Sequence, residues 1–146
     1  MAGTLYACSI NDMRYFTEDY EHKFVVSRKY PYNSLDELRA HGWDWLYHLA
    51  PNKSLYDEAM RAKKAGIYNK NYFDKYYTPT YNKQLNERKS LEELTKIINL
   101  LLSGKDVVIA CWCQSRDTCH TKLIAQQYLN IGGKVALMEK GSLRTY

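Results

Sequence analysis

The sequence predicts an α/β domain, and three stretches carry that expectation. "KDVVIACW" (Lys105–Trp112) is a continuous apolar, β-branched run, the pattern of a strand buried on both faces. An amphipathic segment over Thr118–Leu129 and then "KVALM" follow, so strand, helix and strand succeed one another within about 30 residues, the length of a βαβ unit. Upstream, Leu91, Leu94, Ile97, Ile98, Leu101 and Leu102 repeat at helical spacing until Gly104. Together these describe a small three-layer Rossmann-like domain, with a mostly parallel sheet and helices on its faces, and residues 1–146 as a single domain.

In chain order, "TLYACSI" (Thr4–Ile10) is short, apolar and bounded by Gly3 and Asn11-Asp12, which reads as a first buried strand. "HKFVVSRKYP" places a second strand over Lys23–Ser27, ending before Pro31, which cannot donate to a central ladder. Three capping boxes follow, each a serine with an acid three residues later: Ser34…Glu37, Ser54…Asp57 and Ser90…Glu93. The first opens one or two turns ending at Gly42. The second opens a helix to about Lys64, with Gly66 just past its end. The third opens Ser90–Ser103, predicted to bury Leu94, Ile98 and Leu101 and to leave Lys96 in solvent. Between them, Gly66–Lys89 is rich in tyrosine and asparagine and reads as the least regular stretch. The chain closes with a strand over Asp106–Cys111, the helix Thr118–Leu129 capped by Asp117 or Thr118, a turn at Gly132-Gly133 and a strand over Lys134–Met138.

Composition narrows the function classes. Hydrophobic residues make up 45% and charged residues 25%, ordinary for a soluble globular domain. Lysine plus arginine number 21 against 16 acids, a formal charge of +5, which suits polyanions or phosphorylated small molecules as partners. No apolar run approaches the roughly 18 residues of a membrane span. "MAGTLYACSINDMRY" has no basic region leading into an apolar one, so a cytoplasmic location and no membrane partner are expected. Without a secretory signal, the four cysteines read as free thiols, catalytic thiols or metal ligands rather than disulfides. The 14 tyrosines suit rings that cover a core with the hydroxyl left wet, and, beside lysines, surfaces on which bases stack.

Open α/β sheets bind ligands beyond the C-terminal ends of their strands, at helix N-termini. Here those ends offer Ser9, then Arg28 and Lys29, then "ACWCQSRDTCHTKLIAQQYL" (Ala110–Leu129). As a metal site, Cys111, Cys113, Cys119 and His120 lack the C-x2–4-C knuckle and the distant second pair of structural zinc sites, so neither a metal nor another cofactor is expected. As a nucleophile's loop, Cys111-x4-Arg116 has the length of a sulfurtransferase loop, but without the glycines that let backbone wrap an anion. Arg116 and the helix start still offer Cys113 or Cys119 a depressed pKa, while Cys111 reads as a packed strand residue. As an anion cradle, Arg116, His120 and Lys122 would meet Arg28 and Lys29 around a phosphate, the alternative being a solvated basic rim. Dinucleotide-binding, P-loop, H-E-x-x-H and nucleophile-elbow patterns do not occur.

The order of four motifs resembles a known family. "LYACSIND", "VVSRKYP", "WLYHLAPNKSLYDEAM" with "FDKYYTPTYNKQL", and "VIACWCQSRDTCHTKLIAQQYL" resemble, over nearly the whole chain, the bacterial domain of unknown function 488, including its YeaO-like branch. The resemblance implies the fold and favours Arg28, Cys119 and His120 as pocket residues. Two positions depart from it: Thr121 stands where the family has an arginine after Cys-His, and Val26-Ser27-Arg28 lacks the family's acid before the arginine.

The resulting expectation is a pocket that binds a phosphorylated small molecule, a nucleotide or an exposed nucleobase, and acts on it if it is an enzyme. Cys119 and His120 are its candidate catalytic residues. Ser9, Arg28, Lys29, Trp112, Cys113 and Arg116 are its candidate ligand contacts. The alternatives are a single-stranded nucleic-acid module using the Lys/Tyr-rich segment Lys63–Lys89, or a non-catalytic interaction or inhibitor protein. The short Tyr-, Asn- and Lys-heavy chain also suits a phage product.

Overall fold

A computed structural model describes residues 1–145. Six strands form one sheet: β1 (Thr4–Ser9), β2 (His22–Val25), β3 (Asp44–Trp45), β4 (Val107–Cys111), β5 (Lys134–Glu139) and β6 (Ser142–Thr145). Their order is β3-β2-β4-β1-β5-β6, parallel except for the β5–β6 hairpin. The helices are α1 (Leu35–Ala40), α2 (Lys53–Lys64), α3 (Lys70–Tyr72), α4 (Thr78–Leu85), α5 (Arg88–Leu102) and α6 (His120–Leu129). Short 3-10 turns cover Ile10–Tyr15 and Tyr47–Leu49, and a π-turn over Phe73–Tyr77 joins α3 to α4.

β4 lies at the centre because its whole run, Val107 to Cys111, is apolar and can be buried on both faces. Alternation then divides the sheet's side chains. Leu5, Ala7, Val107, Ile109 and Cys111 face a core shared with α2, α4, α5 and α6. Cys8, Val25, Val108 and Ala110 face a thinner layer made by Ile10 and Met13 of the first 3-10 turn with Phe16, Leu38 and Trp43. The three layers are therefore unequal, with most of the helical mass on one face.

All four strands expected from the sequence form, within two residues at each end. The short edge strand β3 and the exposed β6 carry too little apolar pattern to be read. The helix starts differ from expectation in instructive ways. Ser34 does cap α1, accepting from the Glu37 N–H at 3.1 Å. α2 is capped by Asn52, which accepts from the Leu55 N–H at 2.9 Å, and Ser54 sits exposed in its first turn. Gly66 follows α2 in the left-handed conformation, φ 72°. α5 starts two residues before Ser90, whose buried hydroxyl instead donates to the His48 carbonyl at 2.6 Å. Its buried face is Ser90, Leu94, Ile97 and Leu101; Ile98 is only half-buried, and Lys96 is exposed as expected, with its ammonium 5.4 Å over the Phe24 ring. α6 begins after Cys119 with no side-chain cap, so neither Asp117 nor Thr118 plays that part.

The largest departure is Gly66–Lys89, which is mostly helical. Phe73, Tyr77, Tyr81 and Leu85 recur every four residues and are all buried; the wide π-turn lets a strict four-residue repeat stay on one face. The Tyr81 hydroxyl is not wet: it donates to the Leu49 carbonyl at 2.6 Å.

Candidate functional site

The chain leaving β2 runs outward to the edge at β3, and the chain leaving β4 crosses over β1 to β5. The two neighbouring strands thus part company at their C-terminal ends, the place where open α/β sheets form a crevice. A cavity of about 520 Å3 lies there. Arg28 and Lys29 reach it from the end of β2, and Cys111, Trp112 and Cys113 from the end of β4. α2 supplies Tyr56, Met60 and Lys63, and His120 enters from the first turn of α6. Four aromatic rings, Tyr56, Tyr68, Tyr77 and Trp112, line the walls, and the rim carries three cations.

The rim is held in place. Arg28 is half-buried, donates to the Pro51 carbonyl at 3.1 Å and lies 5.7 and 5.8 Å from the Tyr47 and Tyr56 ring centres. Trp112, 49% exposed, donates its indole N–H to the Lys29 carbonyl at 2.9 Å, pinning the two strand ends together. Lys63 lies 4.9 Å over Tyr68, whose hydroxyl donates to the Thr118 carbonyl at 2.7 Å.

Beneath the cavity is a buried cluster of sulfur and nitrogen. The Cys111 and Cys119 sulfurs are 2.7 Å apart, and Cys119 Sγ is 3.6 Å from His120 Nδ1. His120 Nε2 lies 2.6 Å from the Val26 carbonyl, which only accepts, so Nε2 carries the proton and the Nδ1 lone pair faces the thiols. Arg116 is fully buried alongside: Nη1 donates to the Cys8 carbonyl at 3.0 Å and to Thr121 Oγ1 at 2.8 Å, and lies 3.5 Å from Cys111 Sγ, while Nη2 donates to the Cys113 carbonyl. Burial raises the Cys111 thiol to about 12, the Cys113 thiol partner lowering it again in part. Hydrogen bonds to its two thiol neighbours, with burial, raise Cys113. Burial pushes Cys119 upward too, but hydrogen bonds from Cys111 and Cys113, with the Arg116 charge nearby, outweigh it and hold Cys119 well below a normal thiol. The Arg116 guanidinium is the nearest cation to these sulfurs, with Nη1 3.5 Å from Cys111 Sγ and 3.9 Å from Cys119 Sγ.

A protein-family model described as the active DUF488-N3 subclade matches residues 6–131. The chain belongs to the DUF488 family. No curated protein and no solved structure matches this DUF488 chain. The matched residues include every side chain of the cavity and of the cluster below it.

Of the site residues expected from the sequence, Arg28, Lys29, Trp112, Cys113 and His120 meet at this cavity. Three do not. Arg116 is a strut under the floor, not a rim cation: the small Thr121 beside it leaves room for the guanidinium and accepts from it. Cys119 is 1% exposed and lies behind Cys113, so the thiol that meets the cavity from this loop is Cys113. Ser9 is buried at the end of β1, where its hydroxyl accepts from the Asn11 N–H at 3.2 Å. The expected site does not include Tyr56, Met60 and Lys63 of α2; their i, i+4, i+7 spacing on one helix face is the available signal. The spacing argument against a metal also fails in three dimensions. One ligand atom each from Cys111, Cys113, Cys119 and His120 lies within 4.8 Å of the other three, because the loop after β4 folds back onto the strand end.

A larger open groove of about 900 Å3 lies against the thin layer, beside Met13, Phe16 and Trp43. Its buried cation, Lys23, is already used by the Phe16 and Thr17 carbonyls at 3.1 and 2.9 Å. No helix among the described residues is long and apolar enough to cross a membrane.

Proposed function

We propose that the cavity binds a nucleotide or a nucleobase carrying a nearby phosphate. The observation that carries this reading is the pairing of aromatic walls with a cationic rim at the β2–β4 crevice. Tyr56 and Trp112 offer ring faces to a base, and Arg28, Lys29 and Lys63 offer charge to phosphate. A volume near 520 Å3 suits a ligand of mononucleotide size. The N-terminus of α6 adds the positive end of a ten-residue helix to the same place.

Calorimetric titration with purine and pyrimidine mononucleotides, their nucleosides and short single-stranded oligonucleotides tests this. Mononucleotides are expected to bind, nucleosides more weakly, and Arg28→Ala to lose about 10- to 100-fold in affinity, the worth of a charge-assisted contact. Binding confined to oligonucleotides with a steep salt dependence moves the function to the second reading, a single-strand module. That reading draws on exposed Tyr76, with Lys75 5.4 Å over its ring, on the helical segment that adjoins the cavity. No binding to any of these ligands overturns both.

A further inference from the structure

We propose that Cys111, Cys113, Cys119 and His120 form a tetrahedral Cys3His zinc site under the cavity floor. The inference does not depend on what the cavity binds. It starts from the four ligand atoms gathered within 4.8 Å of one another by three separate pieces of backbone: the end of β4, the loop after it and the start of α6. With Zn–S near 2.3 Å and Zn–N near 2.0–2.1 Å, a tetrahedral site needs S···S separations of about 3.8 Å and S···N separations of about 3.5 Å. Cys119 Sγ and His120 Nδ1 are already 3.6 Å apart. The Cys111–Cys119 sulfur pair, at 2.7 Å, must open by about 1 Å, a displacement two side-chain torsions supply.

Two further features point to a metal rather than to thiols packed as small hydrophobes. The first is the histidine. Its Nε2–H donates to the Val26 carbonyl, and among the described residues Nδ1 has no partner other than Cys119 Sγ. A backbone carbonyl on one ring nitrogen and a lone pair aimed at thiols on the other is how a ligating imidazole is oriented. The second is the arginine. Three thiolates around Zn2+ leave one net negative charge in a site where Cys111, Cys119 and His120 are at most 3% exposed. Arg116, fully buried, supplies one positive charge, with Nη1 3.5 Å from Cys111 Sγ and 3.9 Å from Cys119 Sγ. Apolar packing of thiols gives no reason to bury a guanidinium there.

The ligand set also names the ion. Three soft thiolates and one imidazole in a tetrahedral arrangement suit zinc, and four protein ligands leave no open position, the mark of a structural site. The zinc would brace the loop that carries Trp112 and Cys113 against α6. The fourth cysteine, Cys8, faces the opposite layer and takes no part.

The test is elemental analysis of untagged protein purified under reducing conditions without chelator. About one zinc per chain is expected, retained in Cys8→Ser and lost in Cys113→Ser and in His120→Ala. Cobalt(II) exchanged into the same protein should give the intense ligand-field bands of tetrahedral coordination and a thiolate-to-cobalt charge-transfer band, both lost in Cys113→Ser. Stripping zinc with a chelator should lower the melting temperature of the parent and not that of Cys113→Ser. Less than about a tenth of a zinc per chain, with no tetrahedral cobalt spectrum, overturns the site. Stoichiometric iron or copper in place of zinc overturns the choice of metal, and retention of zinc in both Cys113→Ser and His120→Ala overturns the ligand set. If one variant does not fold, the parent's metal content and the other variant still decide.

Discussion

Arg116 and Arg28 look alike in the sequence, two basic residues near strand ends, and the structure separates them by what each touches. Replacing Arg116 with Met keeps the hydrocarbon stem but removes the guanidinium from the Cys8 carbonyl, the Cys113 carbonyl and Thr121 Oγ1. It also strips the nearest cation from the buried sulfurs. The partners stay behind, so the relevant magnitude is that of breaking a buried charged contact from one side, about 3–5 kcal/mol. At about 2–4 °C per kcal/mol for a chain of this size, the melting temperature should fall by about 6–20 °C. Arg28→Met removes one bond to the Pro51 carbonyl from a half-buried side chain and should cost about 0.5–1.5 kcal/mol. Urea unfolding followed by intrinsic fluorescence, at matched metal content, measures both. An Arg116→Met protein within about 1 kcal/mol of the parent, or one no less stable than Arg28→Met, would refute the assignment of Arg116 as a strut.

Other outcomes follow from the packing and the charges. Leu101→Ala, at a fully buried position of α5, should cost about 2–5 kcal/mol, and the exposed Asn99→Ala under about 0.5, in the same urea assay; similar values at both sites would contradict the buried face described. Burial, opposed in part by His48 and by backbone hydrogen bonds from His48 and Leu49, raises the Glu93 pKa, and its buried Oε1 has no hydrogen-bond partner among the described residues. A folded-state pKa above the unfolded one means this group's stabilisation is full below the ordinary glutamate value and lost as pH rises through the folded pKa. Glu93→Gln should therefore melt higher than the parent at pH 7–8, with the gap closing toward pH 4; a gap that does not change with pH contradicts this. Gly133→Ala should lower the melting temperature in a thermal scan, because a Cβ there meets the Tyr128 ring at 2.5 Å; an unchanged melting temperature would show that the ring gives way freely.

Much of this fold is legible in the sequence. The β-branched run into Cys111 marked the central strand because a fully buried strand needs no polar face, and the α5 repeat marked its helix because six apolar residues recur at its period. What escaped notice did so for physical reasons. Capping boxes are local, and Ser90 satisfies its hydroxyl on the distant His48 carbonyl, a partner 42 residues away in sequence. Tyrosine is ambiguous, since the same residue serves as wet cover or, like Tyr81, as core with a buried hydrogen bond. The four-residue repeat Phe73-Tyr77-Tyr81-Leu85 was the available sign of a helix there. At the site, strand-end reasoning placed Arg28, Lys29, Trp112 and His120 together. Whether Arg116 pointed out or under depended on Thr121 being small, and the convergence of three thiols on one imidazole depended on a loop folding back. Neither is encoded in spacing.

Arg144 of β6 donates to Asp117 at 3.1 Å and to Glu139 at 3.0 Å, and Glu139 also accepts from the Arg116 N–H at 3.1 Å. All three side chains are partly exposed, so the tie is weak and open to screening by dissolved ions. The Arg116 guanidinium and the Cys111 and Cys119 sulfurs behind it are buried away from that ionic atmosphere. The loop after β4 thus has two fastenings of opposite character, one that ordinary salt loosens and one that it does not reach. Added salt is therefore expected to weaken the exposed Arg144 contacts to Asp117 and Glu139 more than the buried contacts of Arg116. Family matching ends at residue 131, before the hairpin that supplies the outer fastening. Substitutions at Glu139 or Arg144 therefore alter the outer fastening without changing one residue of the cavity it borders.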